Sequence, residues 1–143
     1  MFLAGLLLCS VCEATQLAVV VDKANSTSSL SSADLTKILK MNSPKWPDGK
    51  AVVLVLRGPS GPDVQLALQK LTNMSVDQFK ELLATHRSSI LVVNSEQVLL
   101  KSVGSIPGAI GLVDVYSLTS GVNVVKVDGK LPLEPGYLLK GVQ

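Results

Sequence analysis

Between Val52 and Leu71 the chain reads VVLVLRGPSGPDVQLALQKL. An unbroken apolar run of strand length meets Arg57-Gly58-Pro59-Ser60-Gly61, and an amphipathic helix begins at about Pro62. Val64, Ala67, Leu68 and Leu71 fall at i, i+3, i+4 and i+7, the spacing of one helix face. A strand with no polar face must be covered on both sides, and a helix that follows it directly is the usual cover. The junction itself carries chemistry. Main-chain N–H groups of a turn and the positive end of a helix dipole converge there, with the guanidinium of Arg57 beside them. Such a corner is built to hold an anion.

The same alternation runs through most of the 143 residues. Leu17–Val21 (LAVVV) is a wholly apolar run, as in a strand covered on both faces. Lys23–Ser32 is polar and Ser-rich and reads as a loop. Ser31 then caps a short helix with Asp34 in its first turn and Leu35, Ile38 and Leu39 inward. Asn42–Lys50 is dense in turn formers: Pro44, Pro47, Asp48 and Gly49. Ser75 opens a third helix that buries Val76, Phe79, Leu82 and Leu83. Ile90–Val93 is a strand, Ser95 and Glu96 open a fourth helix, and Ala109–Val113 and Val122–Val127 are further strands. Leu131–Gln143 is rich in Pro and Gly and is expected to wrap the surface. Strands that alternate with helices predict one three-layer α/β domain with a mostly parallel sheet, whose ligands gather at the carboxyl ends of the strands.

Composition narrows the function. Aromatic residues make up only 3% of the chain, so stacking platforms and aromatic cages are excluded. A net charge of +2 with scattered lysines argues against nucleic-acid binding. Met1–Leu8 is nearly all apolar, and Cys12-Glu13-Ala14 places small residues at −3 and −1 of a signal-peptidase site. Residues 1–14 therefore read as a secretory leader, with residues 15–143 as the mature domain and no membrane span after cleavage. A lipid anchor at Cys9 or Cys12, or a retained first element, are the alternatives. Cys9-Ser-Val-Cys12 lies within the leader and has no second pair downstream, so a zinc or redox role is not expected.

No catalytic arrangement stands out. The single histidine, His86, ends a helix, where it would meet terminal carbonyls or solvent rather than a metal. Trp46 either packs its turn onto the domain or edges a binding site. Arg57 has two readings, a bidentate clamp on an oxyanion or an ion pair with Asp63 or another acid. Ser60 would bond an anion or cap the following helix, and the two are compatible. Gly58 and Gly61 serve the turn, and Pro62 suits the first helical position. Nothing in the sequence implies a cofactor.

In order and spacing, several pieces resemble the PstS-like family of periplasmic phosphate-binding (solute-binding) proteins. They are LAVVVDKAN followed by SLSSADLTKIL, the Trp46-Pro47-Asp48-Gly49 turn, the strand–Arg–Ser-Gly–helix junction, and IPGAIGLV at Ile106–Val113. The resemblance runs from about Leu17 to Val127. It implies one lobe of a type II periplasmic-binding-protein-like fold, in a single-lobe short form, since full members have two lobes with phosphate between them. It implies phosphate or a similar oxyanion as ligand, with Arg57, Ser60 and Gly61 as its contacts. It implies an ABC permease or another envelope protein as partner, and a periplasmic or secreted bacterial location. In a bacterial protein the sequons Asn25-Ser-Thr27 and Asn73-Met-Ser75 are coincidental. The chain departs from the family at the turn: the Arg57–Ser60 spacing is one residue shorter, Pro62 replaces a Thr, and Asp63 puts a negative charge beside the helix start. A homodimer would rebuild a two-sided site. The rival reading is a non-transport interaction protein that keeps the lobe and docks a protein partner on the old cleft face.

Overall fold

A computed structural model describes residues 16–58 and 61–141. The expected leader, with Cys9 and Cys12, and Ser60 in the junction lie outside the described residues. In chain order the elements are β1 (Leu17–Asp22), β2 (Ser29–Leu30), α1 (Ser32–Leu39), β3 (Val53–Leu56), α2 (Pro62–Leu71), α3 (Val76–Thr85), β4 (Ile90–Val92), α4 (Glu96–Ser105), β5 (Ala109–Asp114) and β6 (Val122–Val127). Single turns of 3-10 helix precede β4 at Arg87–Ser89 and follow β5 at Val115–Ser117.

Local sequence accounts for the helix starts. Ser31 accepts from the Asp34 N–H at 3.0 Å while Asp34 accepts from the Ser31 N–H at 3.1 Å, a closed capping box. Ser75 and Gln78 form a second box, and Ser95 caps α4 through the Val98 N–H at 3.2 Å. At α2 the cap is Gly61, with no side-chain bond, and Pro62 stands at the first helical position. The cap position expected at Ser60 is corrected to Gly61, one residue later, and Ser60 itself lies outside the described residues.

The six strands form one sheet in the order β2-β6-β1-β5-β3-β4. β3 pairs in parallel with both β4 and β5, and β2 in parallel with β6. β1 pairs antiparallel with β5 and β6 on either side. Five strands thus point one way, and β1 runs against them near the middle. All six β1 residues are buried, as the unbroken apolar run predicts.

Period-2 alternation divides the core. Leu17, Val19 and Val21 of β1 face a layer built from α1, α2, α3 and Trp46. Ala18 and Val20 face Leu99, Leu100 and Val103 of α4. Helices therefore cover both faces and make the three expected layers.

Two expectations need correction. The polar loop 23–32 contains a short strand, β2, because β6 leaves a free edge for Ser29 and Leu30 to pair with. The carboxyl-terminal segment does not simply wrap the surface. Leu139 and Tyr137 are fully or nearly buried. The Leu17 N–H donates to the Leu139 carbonyl at 2.9 Å, and the Tyr137 hydroxyl donates to the Leu17 carbonyl at 2.6 Å. The segment closes the core over the start of β1, where main-chain groups would otherwise lack partners.

Burial pushes the Tyr137 hydroxyl well above its ordinary value of 10.0. The folded state holds that proton more tightly than the unfolded state, so stability falls as pH rises above the ordinary tyrosine range. Tyr137→Phe should cost about 1–2 kcal/mol in denaturant unfolding near neutral pH, and should flatten the alkaline loss of stability seen in the parent.

Candidate functional site

Parallel pairing brings the carboxyl ends of β3, β4 and β5 to one edge of the sheet. Arg57 follows β3 directly, and Asp114 ends β5 at that edge. The amino ends of α2 and α4 start from the same side, since each follows a strand that points there. Gly58 carries the chain out of β3 with φ +122°, a conformation open to glycine and strained for other residues.

The side chains gathered here are mainly acidic. Arg57 Nη2 lies 3.3 Å from Asp63 Oδ2. The Asp63 side chain is 13% exposed and that of Arg57 is 35% exposed. Glu96, in the first turn of α4, accepts from the Asp114 N–H at 3.0 Å and from the Ser117 hydroxyl at 2.7 Å. It ties the end of β5 to α4. Asp114 itself accepts from the Tyr116 N–H at 3.0 Å. A groove of about 680 Å³ continues from Glu96 along α4, bounded by Leu100, Lys101, Ser117 and Thr119. Burial pushes the Asp63 carboxyl above its ordinary 3.8. Arg57 pulls it down, and the Glu96 and Asp114 carboxylates push it up.

Of the residues expected to hold an anion, Arg57 stands at the strand end, and Gly61 caps α2 a few residues on. Ser60 lies outside the described residues. The alternative ion pair for Arg57 forms with Asp63. Glu96 and Asp114 were not foreseen as neighbours of this corner. Their signal was available: each sits where a strand meets a helical turn, and parallel strands bring such junctions together.

The other candidates have structural places. Trp46 is buried, and its Nε1–H donates to the Gly108 carbonyl at 2.8 Å. Gly108, at φ +84°, also donates its N–H to Asp22 Oδ1 at 3.2 Å. A Cβ there would run into the Ala51 carbonyl oxygen. The Trp46–Gly49 turn and the Ile106–Val113 segment thus meet in space. His86 Nδ1 lies 3.0 Å from the Leu82 carbonyl at the end of α3. Among the described residues no group of three His, Cys, Asp or Glu side chains is arranged to hold a metal ion. No helix among them is long and apolar enough to cross a membrane.

No protein-family model matches the sequence, and no curated protein matches it. Solved structures do. The chain is similar to an ABC-type phosphate transport receptor from Vibrio cholerae, with TM-score 0.71 and 18% identity over 91% of this chain and 55% of that one. It is similar to PstS from Borrelia burgdorferi, with TM-score 0.76 and 17% identity over 92% of this chain and 56% of that one. A phosphate binding protein from Stenotrophomonas maltophilia matches with TM-score 0.71 and 21% identity over 85% of this chain and 41% of that one. The chain spans about half the length of the solved structures it matches. At these identities the likeness is one of fold: this is an α/β domain with the architecture of one lobe of the PstS-type phosphate-binding receptors.

Because the Asp63 pKa is raised in the folded state, its carboxylate costs stability as it ionises. The cost is absent below the ordinary value of 3.8, grows as pH rises through the range up to the folded value, and is constant above it. Asp63→Asn removes the titration. The unfolding free energy of the parent should therefore fall relative to that of the variant as pH is raised through the carboxylate range. Parallel stability–pH curves would contradict the burial of Asp63.

Proposed function

We propose that this protein is a secreted or periplasmic, non-enzymatic binding module that holds phosphate or a similar oxyanion at the Arg57–Gly61 turn. The reading rests on one observation. In a fold shared with one lobe of phosphate receptors, a guanidinium stands at the carboxyl end of β3, beside the amino end of a ten-residue helix that lacks a side-chain cap. Arg57 supplies the charge, and the amide of Gly61 with the amino end of α2 supplies main-chain donors and a favourable dipole. Ser60, next to Gly61 in sequence, is the hydroxyl this reading would add. The contacts of this lobe come from one side and, taken alone, leave the ion partly hydrated and screened, so the lobe by itself binds weakly, on the order of millimolar. A second copy facing the turn would enclose it. Delivery to an ABC permease is the transport role that follows from this reading.

The Arg57–Asp63 ion pair favours a second reading. If the corner is closed for good, the lobe serves as a docking surface for another envelope protein rather than as a receptor.

Isothermal titration with inorganic phosphate separates the two. Saturable binding in the parent, weakened at least about tenfold in Arg57→Ala, is the outcome expected of the oxyanion module. Absence of heat at high phosphate in both proteins, in acid as well as at neutral pH, would transfer the case to docking.

A further inference from the structure

Arg57 already has an anion. The carboxylate that occupies it comes from the same chain, six residues on, in the first turn of α2. Asp63 Oδ2 and an arriving oxyanion would compete for one guanidinium, since the structure brings no second cation to the pair: the two salt bridges among the described residues are Arg57–Asp63 and Lys50–Asp48. The groups around Asp63 sharpen the competition. Arg57 faces it from the end of β3, Glu96 from α4 and Asp114 from β5. Glu96 is committed to the Asp114 N–H and the Ser117 hydroxyl, and Asp114 to the Tyr116 N–H. Of these three carboxylates, Asp63 is the one that meets the guanidinium.

Resting on the oxyanion reading of this turn, we propose that Asp63 is an internal stand-in for the ligand and gates the site by protonation. With Asp63 ionised, the guanidinium is neutralised and the corner repels an incoming anion. With Asp63 protonated, Arg57 is released, and the neutral carboxyl can donate its O–H to an anion oxygen. One proton gained by Asp63 exchanges an internal anion for an external one. Burial of Asp63, helped by Glu96 and Asp114, outweighs the opposing pull of Arg57 and moves its titration above the ordinary carboxylate value. The module would load in acid and discharge toward neutral pH.

Sulfate is the probe, because it keeps both charges as pH changes and phosphate does not. Its affinity is measured by titration calorimetry at several pH values from about 7.5 down to about 4.5, on the parent, Asp63→Asn, Asp63→Ser and Arg57→Ala. The gate predicts that the parent binds at least about tenfold tighter at the acid end. It predicts that Asp63→Asn and Asp63→Ser bind as tightly at neutral pH as the parent does in acid, with nearly flat profiles, and that Arg57→Ala binds poorly throughout. If the Asp63 variants keep the pH profile of the parent, the gate is wrong and the oxyanion site survives. If Arg57→Ala keeps the pH-dependent binding of the parent, the anion sits elsewhere and both fall. No saturable binding in the parent or in either Asp63 variant at any pH also overturns both.

Discussion

Parallel strand pairing is the constraint from which the rest follows. β3, β4 and β5 run side by side in one direction, so each connection must cross back over a face of the sheet before the next strand begins. The crossovers are the helices. α2 and α3 return along one face and α4 along the other, and every one of these strands ends at the same edge. The gathering of Arg57, Asp63, Glu96 and Asp114 is a consequence of that geometry, because no two of them are close in sequence except the first pair.

A second constraint holds the opposite end together. Gly108 is tied at once to Trp46, Asp22 and Val53, through the indole N–H, a buried carboxylate and a main-chain N–H. The end of β1 and the segment from Trp46 to Val53, both far from it in the chain, meet on one residue that has no side chain. A glycine is required by the left-handed φ and by the Ala51 carbonyl that stands where a Cβ would be. The lone tryptophan is therefore a strut of the scaffold, which leaves the opposite, carboxyl edge as the place where side-chain chemistry can vary.

Within that edge, charge decides more than shape. A guanidinium beside a helix start attracts anions, but Arg57 is already paired with Asp63, and Glu96 and Asp114 add negative charge beside that carboxylate. On the oxyanion reading of this corner, a ligand and the Asp63 carboxylate compete for the same guanidinium. Asp63 is the carboxylate placed to compete, since Glu96 and Asp114 are held by their hydrogen bonds to the loop after β5.

Much of the fold was legible in the order of residues, for a physical reason. Apolar runs such as Leu17–Val21, helical spacing such as Val64 to Leu71, and the serine caps at 31, 75 and 95 express interactions within a few residues of one another, so the chain carries them wherever it folds. The pieces of the phosphate-receptor resemblance were legible in the same way. Tertiary structure alone decided the rest. β2 exists only because β6 offers an edge, and Tyr137 and Leu139 are core residues only because the start of β1 needs cover. Arg57 had two possible partners on paper, an external anion or Asp63, and the structure pairs it with Asp63 in the first turn of α2 at 3.3 Å. Glu96 and Asp114 joined them through strand order, which no local pattern encodes, because pairing between distant strands depends on the whole sheet at once.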